Sequence, residues 1–421
     1  MALSCKVGSF ATGTGAVSST VVVSDVGFQP KVIFFMWNGR LESTDTVGRA
    51  NHGSGFGVAI STTDRRCMTS LAQDTPTAMV TNHVQRDASC ICTTTTADAI
   101  DGELDLQSMD SGGFTLVVDD QFATSVRVQY LALGGSDILN VKGGAFAKIG
   151  TTGTQNMTSV GFQADGLIMF GINSTSANAA VAIDCNNFLG WAQNASKQGL
   201  WVGASNDAAA NAQSISYLKD DQCAGHMNAA ASAVENRAAF TGFTPTGFDL
   251  NWLSSSSSLY QIHYVAIKGC AVDIGSFLTQ TNTSTTIPAR TGFEPKGGLI
   301  MSHCKPESTD NTAQDDDEFS IGTFTSTSAR QAMGRIDNDA AATAEVTTAV
   351  EYDAVYVSLT DNGGTLQGLA DVNAVTTTGF ELIMDDADPA QAMMLYMVFG
   401  NSPVLPERQT RRMRYNALLR R

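Results

Sequence analysis

The sequence predicts a mostly β protein of three tandem, jelly-roll-like β-sandwich modules followed by a short basic arm. Three observations carry this expectation: a pattern that recurs three times, a period-two alternation of apolar residues, and a charge content of only 16%. Long surface helices laced with Glu and Lys do not fit so low a charge, whereas short strands joined by small polar turns do.

Each module opens on Gly-x-Phe: Gly8-Ser9-Phe10, Gly144-Ala145-Phe146 and Gly275-Ser276-Phe277. A turn follows, Gly27-Phe28-Gln29-Pro30, Gly161-Phe162-Gln163-Ala164 and Gly292-Phe293-Glu294-Pro295, with glycine where positive φ is cheap. The next stretch, Val32 to Trp37 in the first copy, is apolar on both parities and reads as a central strand covered on two faces. Phe56, Phe188 and Phe319 then each begin a Gly-containing apolar run. Phe114, Leu116 and Val118 share one parity, as do Phe248, Leu250 and Trp252, and Phe380, Leu382 and Met384, which is the signature of a half-buried strand. Sixteen residues after Phe114, Phe248 and Phe380 come Tyr130, Tyr264 and Tyr396, each within a closing apolar strand.

Phe28, Phe162 and Phe293 are 134 and then 131 residues apart, a typical domain size. The boundaries fall at residues 1–136, 137–270 and 271–401, with the arm at 402–421. A period this long, well beyond that of solenoid repeats, predicts beads that fold separately. The alanine-rich pieces Ala208 to Ala212, Ala229 to Ala233 and Ala340 to Ala344 fit either short helices or loops.

Charge is divided unevenly. The arm holds Arg408, Arg411, Arg412, Arg414, Arg420 and Arg421 against Glu407, a balance of +5 that leaves −21 on the rest of a chain of net charge −16. So acidic a body repels phosphate backbones and anionic membranes, which argues against nucleic acid as a partner except through the arm. Pro406-Glu407 resembles a helix start, and the spacing of Met413, Arg414, Ala417 and Leu418 predicts a short basic helix. Three readings compete for it: a solvated end, a nucleic-acid arm, or an anchor in an acidic partner. The anchor is favoured, its partner being another copy of this chain or a different subunit. No secretory signal leads into the first module and no apolar run approaches membrane-spanning length, so no membrane partner is expected.

No phosphate-cradling loop, metalloprotease motif or nucleophile elbow is present, and the expectation is a non-enzyme without cofactor or metal. Asp119-Asp120 and Asp385-Asp386 have no counterpart at Ser254 to Ser258 in the second copy and read as turn residues. The run Asp315-Asp316-Asp317-Glu318 lacks the alternation of a calcium loop and reads as solvated. Five histidines are scattered, and the eight cysteines do not recur in register, so buried free thiols are expected. Trp252 lies on the inward parity and reads as core. Trp191 aligns with Ala59 and Gly322, where nothing large is needed, and so becomes the candidate contact for a host-surface glycan or a partner.

The Gly-Phe-x-Pro turn with its apolar strand, the run Phe56-Gly57-Val58-Ala59-Ile60 and the closing Gly-Phe strand with its Tyr-bearing partner resemble modules of uncharacterised tandem-repeat structural proteins of tailed bacteriophages. The resemblance covers about residues 7–400, and Ala164 departs from it by replacing the proline. It implies a virion component assembled in host cytoplasm, contacting other virion subunits and forming a homo-oligomer. Its station would be the tail region, as a collar, fibre or baseplate-associated part, with capsid decoration or glycan binding as alternatives.

Overall fold

The computed structural model describes residues 2–402 apart from 74–78, 208–212, 229, 340–344 and 361–363. The arm with its six arginines, Arg408 to Arg421, and two of the alanine-rich pieces lie outside the described residues. The third piece contributes a turn, in which Asn228 Oδ1 accepts from the backbone of Ser232 (2.9 Å) and Ala233 (3.2 Å). The described chain is all β, without a helix.

The first repeat runs β1 (Leu3–Ala11), β2 (Thr20–Val23), β3 (Pro30–Asn38), β4 (Thr46–Ala50), β5 (His52–Ser61), β6 (Asp64–Gln73), β7 (Val80–Arg86), β8 (Ile91–Thr94), β9 (Ile100–Asp110), β10 (Gly113–Asp120) and β11 (Arg127–Gly135). The second repeats the series from β12 (Asn140–Ala147) to β22 (Gln261–Lys268), and the third from β23 (Ala271–Leu278) to β33 (Met393–Gly400). Each repeat is a sandwich of a large sheet, ordered β1-β11-β3-β5-β6-β7 in the first, against a four-stranded sheet ordered β2-β10-β9-β8. First strand pairs with last and second with second-last, a nesting in which every contact along these ladders is antiparallel.

The recurrent residues explain themselves in this frame. Gly8 faces Tyr130 across the first ladder, Gly144 faces Tyr264 and Gly275 faces Tyr396. A Cβ on any of the three glycines would fall 2.4–2.5 Å from the phenol oxygen, so the ring needs the bare backbone. Each tyrosine meets the closing-strand phenylalanine edge-on, at 5.3 Å from Phe114, 5.6 Å from Phe248 and 5.4 Å from Phe380. Gly27, Gly161 and Gly292 have φ of 84, 86 and 80°, the left-handed conformation that favours glycine. Phe28, Phe162 and Phe293 pack, half-buried, on the sandwich cores, and Pro30 and Pro295 open their strands at irregularities of the ladder, where no amide donor is required.

The repeats are not separate beads. β4 of the first repeat adds to the large sheet of the third, on β29 (Val346–Glu351). β15 (Ala182–Ile183) of the second adds to β7 of the first, and β26 (Gln314–Asp315) of the third adds to β18 (Ser214–Lys219) of the second. This cyclic exchange closes a ring with threefold pseudo-symmetry inside one chain. One parity of each large sheet packs against its own small sheet, as Phe35 and Tyr130 do. The other parity enters a single core shared by all three repeats, joining Phe34, Phe56 and Leu131 to Phe170, Trp191 and Val265 and to Leu299, Met301 and Phe399. Phe56 meets Phe170 at 5.2 Å and Phe34 meets Phe399 at 6.4 Å, both across repeats. The doubly apolar strands are therefore covered by a sandwich core on one face and the shared core on the other.

Candidate functional site

The registers place three sets of equivalent positions where the repeats meet. His52, Cys185 and Asp317 open the equivalent strands β5, β16 (Cys185–Asn194) and β27 (Asp317–Phe324), opposite Ala72, Ser205 and Asp337. Two residues along stand Ser70, Gly203 and Arg335. The side chains at these positions converge into one buried polar cluster contributed by all three repeats.

Arg335 is its centre. Nη2 donates to Asp317 Oδ2 at 2.8 Å and Nη1 to Asp337 Oδ2 at 3.2 Å, while Ser205 Oγ donates to Asp337 Oδ2 at 2.9 Å. His52 Nε2 lies 2.9 Å from Asp337 Oδ1, and the Trp201 ring of the second repeat stacks under the guanidinium at 5.6 Å. Burial holds His52 below the usual imidazole range and pushes Asp317 up to about 7, whereas Asp337 stays below its ordinary value because the pull of His52 and Arg335 outweighs burial. The side chains of His52, Asp317, Arg335 and Asp337 are at most 1% exposed, so no substrate reaches them. The arrangement is an electrostatic lock: Arg335 neutralises Asp317 and Asp337 within the third repeat, and His52 of the first repeat with Ser205 and Trp201 of the second tie that cluster across the repeats.

At the other end of β3, eight residues and about 26 Å away at ~3.3 Å per residue, the start of the chain, both junctions and the last described residues come together. Leu3 N donates to Asn401 Oδ1 at 2.8 Å, Ser402 N to Asp137 Oδ2 at 2.8 Å, and Ser402 Oγ to Gly269 O. Ser402, the last described residue, thus lies where all three repeats meet.

Trp191 is fully buried in the shared core, which overturns its assignment as a glycan or partner contact. The reason is a register slip. Tyr130, Tyr264 and Tyr396 pair with Phe35, Met169 and Ile300, which pair in turn with Gly57, Gly190 and Gly322. Trp191 is therefore equivalent to Val58 and Thr323 and not to Ala59 and Gly322, and a slip of one residue exchanges the faces of a strand. By the same ladder Phe56 corresponds to Leu189 and Ile321, so Phe56, Phe188 and Phe319 are not equivalent. Trp252 is buried in the second sandwich core. The acidic run divides: Asp315 is exposed, whereas Asp317 and Glu318 are buried. Asp119-Asp120 and Asp385-Asp386 are exposed strand ends. All five histidines are buried, all eight cysteines are free and seven of them are buried. Sequence reasoning missed the lock, having read Asp317 within a solvated acidic run and His52 as one of five scattered histidines.

No protein-family model matches the chain, and no curated protein sequence matches it. Among solved structures, human GIVD cytosolic phospholipase A2 shares 9% identity over 62% of this chain and 32% of its own, with a TM-score of 0.11, a likeness that carries no argument.

Proposed function

We propose that this chain is a non-enzymatic structural protein of a tailed bacteriophage virion, a tail-region component held to neighbouring subunits through Arg408, Arg411, Arg412, Arg414, Arg420 and Arg421. The observation that carries the reading is the interlocked ring: one chain presents threefold pseudo-symmetry in an acidic body, with Ser402, which precedes the basic segment in sequence, at the meeting point of its repeats. Burial of every histidine and of seven of the eight cysteines supports a structural role, because these side chains are the usual acid-base and nucleophilic groups. Capsid decoration is the second reading, favoured by the match between a threefold pseudo-symmetric body and a place where three subunits meet.

The test is truncation of Ser402 to Arg421. The truncated protein is expected to melt like the full chain and to be missing from assembled particles; normal incorporation would sink the anchor. Light scattering then identifies the arm's partner. A large oligomer that depends on the arm places it on other copies of this chain, and a monomer with or without the arm places it on a different subunit.

A further inference from the structure

At each of the three places where an arm strand lies on a neighbour's sheet, one register position faces the arm segment. Following the ladders outward from Gly57, Gly190 and Gly322 through Cys67, Leu200 and Ala332 gives Arg86, Lys219 and Glu351. In the first interface Arg86 Nε pairs with Glu103 at 2.6 Å and Nη1 donates to Ala179 O of the arm segment at 3.3 Å. In the second, Lys219 Nζ lies 2.8 Å from Glu307 and 3.6 Å from Asp310 of the arm segment. The third has an acid where the others have a cation. Glu351 faces Asp45, from the arm segment of the first repeat, and Asp353, and ligand oxygens of all three lie within 4.8 Å of one another.

Glu351 is 4% exposed, and among the described residues its carboxylate takes no hydrogen bond or ion pair. Among the described residues no Lys or Arg pairs with the carboxylates of Asp45 or Asp353 either: Arg330 pairs with Asp371 at 2.8 Å and gives its Nε to the Asp353 backbone carbonyl, and Arg49 pairs with Glu42 at 3.6 Å. Asp45 is already oriented, Oδ1 accepting from Tyr352 N at 2.8 Å, and Tyr352 Oη donates to Glu42 O at 2.8 Å. Three carboxylates thus converge on one point, the most buried of them unpartnered, at the position where both equivalent interfaces place a positive charge.

We propose that Asp45, Glu351 and Asp353 bind a calcium ion, which supplies to the interface of the first and third repeats the charge that Arg86 and Lys219 supply to the other two. An all-oxygen carboxylate set suits a hard divalent cation, with water completing the shell. The ion would clamp β4 onto β29 and so close the ring. Burial, with Asp45 and Asp353 adding to it, pushes Glu351 up to about 7, so the ion must displace a proton.

Calorimetric titration of chelator-treated full-length protein with calcium chloride, with a thermal melt alongside, tests this. One ion per chain is expected, with a rise in Tm reversed by chelator and affinity about tenfold higher at pH 8 than at pH 6. Glu351→Gln and the exposed-site Asp353→Asn should each weaken binding at least about tenfold. Glu351→Lys, which restores the residue type of the equivalent positions, should abolish binding and melt no lower than ion-free wild type. Binding no tighter than about 1 mM, or unchanged affinity in both Glu351→Gln and Asp353→Asn, would overturn the proposal. So would a melt insensitive to calcium, because Glu351 would then simply be protonated.

Discussion

Arg335 stands between two buried carboxylates, and removing it leaves Asp317 and Asp337 without the charge that both require. Breaking a buried pair from one side typically costs about 3–5 kcal/mol, far more than a surface pair is worth. Arg335→Ala should therefore lower the urea midpoint by a cost of about 3–5 kcal/mol, and a cost under about 1 kcal/mol would mean that the lock contributes nothing. At this scale the sequence was legible wherever a residue's partner recurred. Gly8, Gly144 and Gly275, and separately Tyr130, Tyr264 and Tyr396, were visible as recurring positions, and the structure pairs them because each copy needs the same close approach. His52, Asp317, Arg335 and Asp337 were not, because each repeat fills its equivalent position differently, and a buried charge looks like a surface one until its partners are known.

Strands with full alternation or a doubly apolar run were readable, as the stretch Val32 to Trp37 shows: its two apolar parities correspond to two different cores. The mid-repeat strands were readable as strands but not in register, since Phe56 and Phe188 sit one position apart in the fold and face different cores. Spacing alone cannot detect an extra residue in a loop, and a strand responds to one by turning over. The arm strands β4, β15 and β26 left no sequence signal: β15 and β26 are two residues long and exposed or half-buried, and β4 reads Thr-Val-Gly-Arg-Ala. Such segments cannot form alone and are strands only because a neighbour offers an edge. The expectation of independent beads failed for this reason, together with the second apolar face that each large sheet carries into the shared core.

The acid response of the whole molecule follows from its buried groups. Burial lowers His83 to about 4 and His226, His263 and His303 to about 3, so below the unfolded value near 6.5 the unfolded chain binds protons that the folded one refuses. That stability is present above about pH 6.5 and is lost as pH falls toward 3–4. Asp317 and Glu351, raised to about 7, act in the opposite sense, their contribution being full below about pH 4 and lost as pH rises through 7. Four histidines outweigh two carboxylates with shifts of similar size. Urea unfolding in the absence of divalent ions should therefore show a net loss on the order of several kcal/mol between pH 6.5 and 4. A flat or rising stability over that range would contradict the burial of the histidines.

The most direct test concerns whether three sandwiches sharing one core and exchanging edge strands behave as a single body. Calorimetric unfolding of the full chain reads this, because separate beads melt in separate or loosely coupled steps while an interlocked ring melts as one. One transition is expected, with calorimetric and van't Hoff enthalpies in agreement, and the isolated first repeat, residues 1–136, should show no cooperative melt because half of each large sheet's apolar surface is left bare. Three resolvable transitions, or a first repeat that melts cooperatively on its own at the temperature of the whole chain, would contradict the interlocked ring.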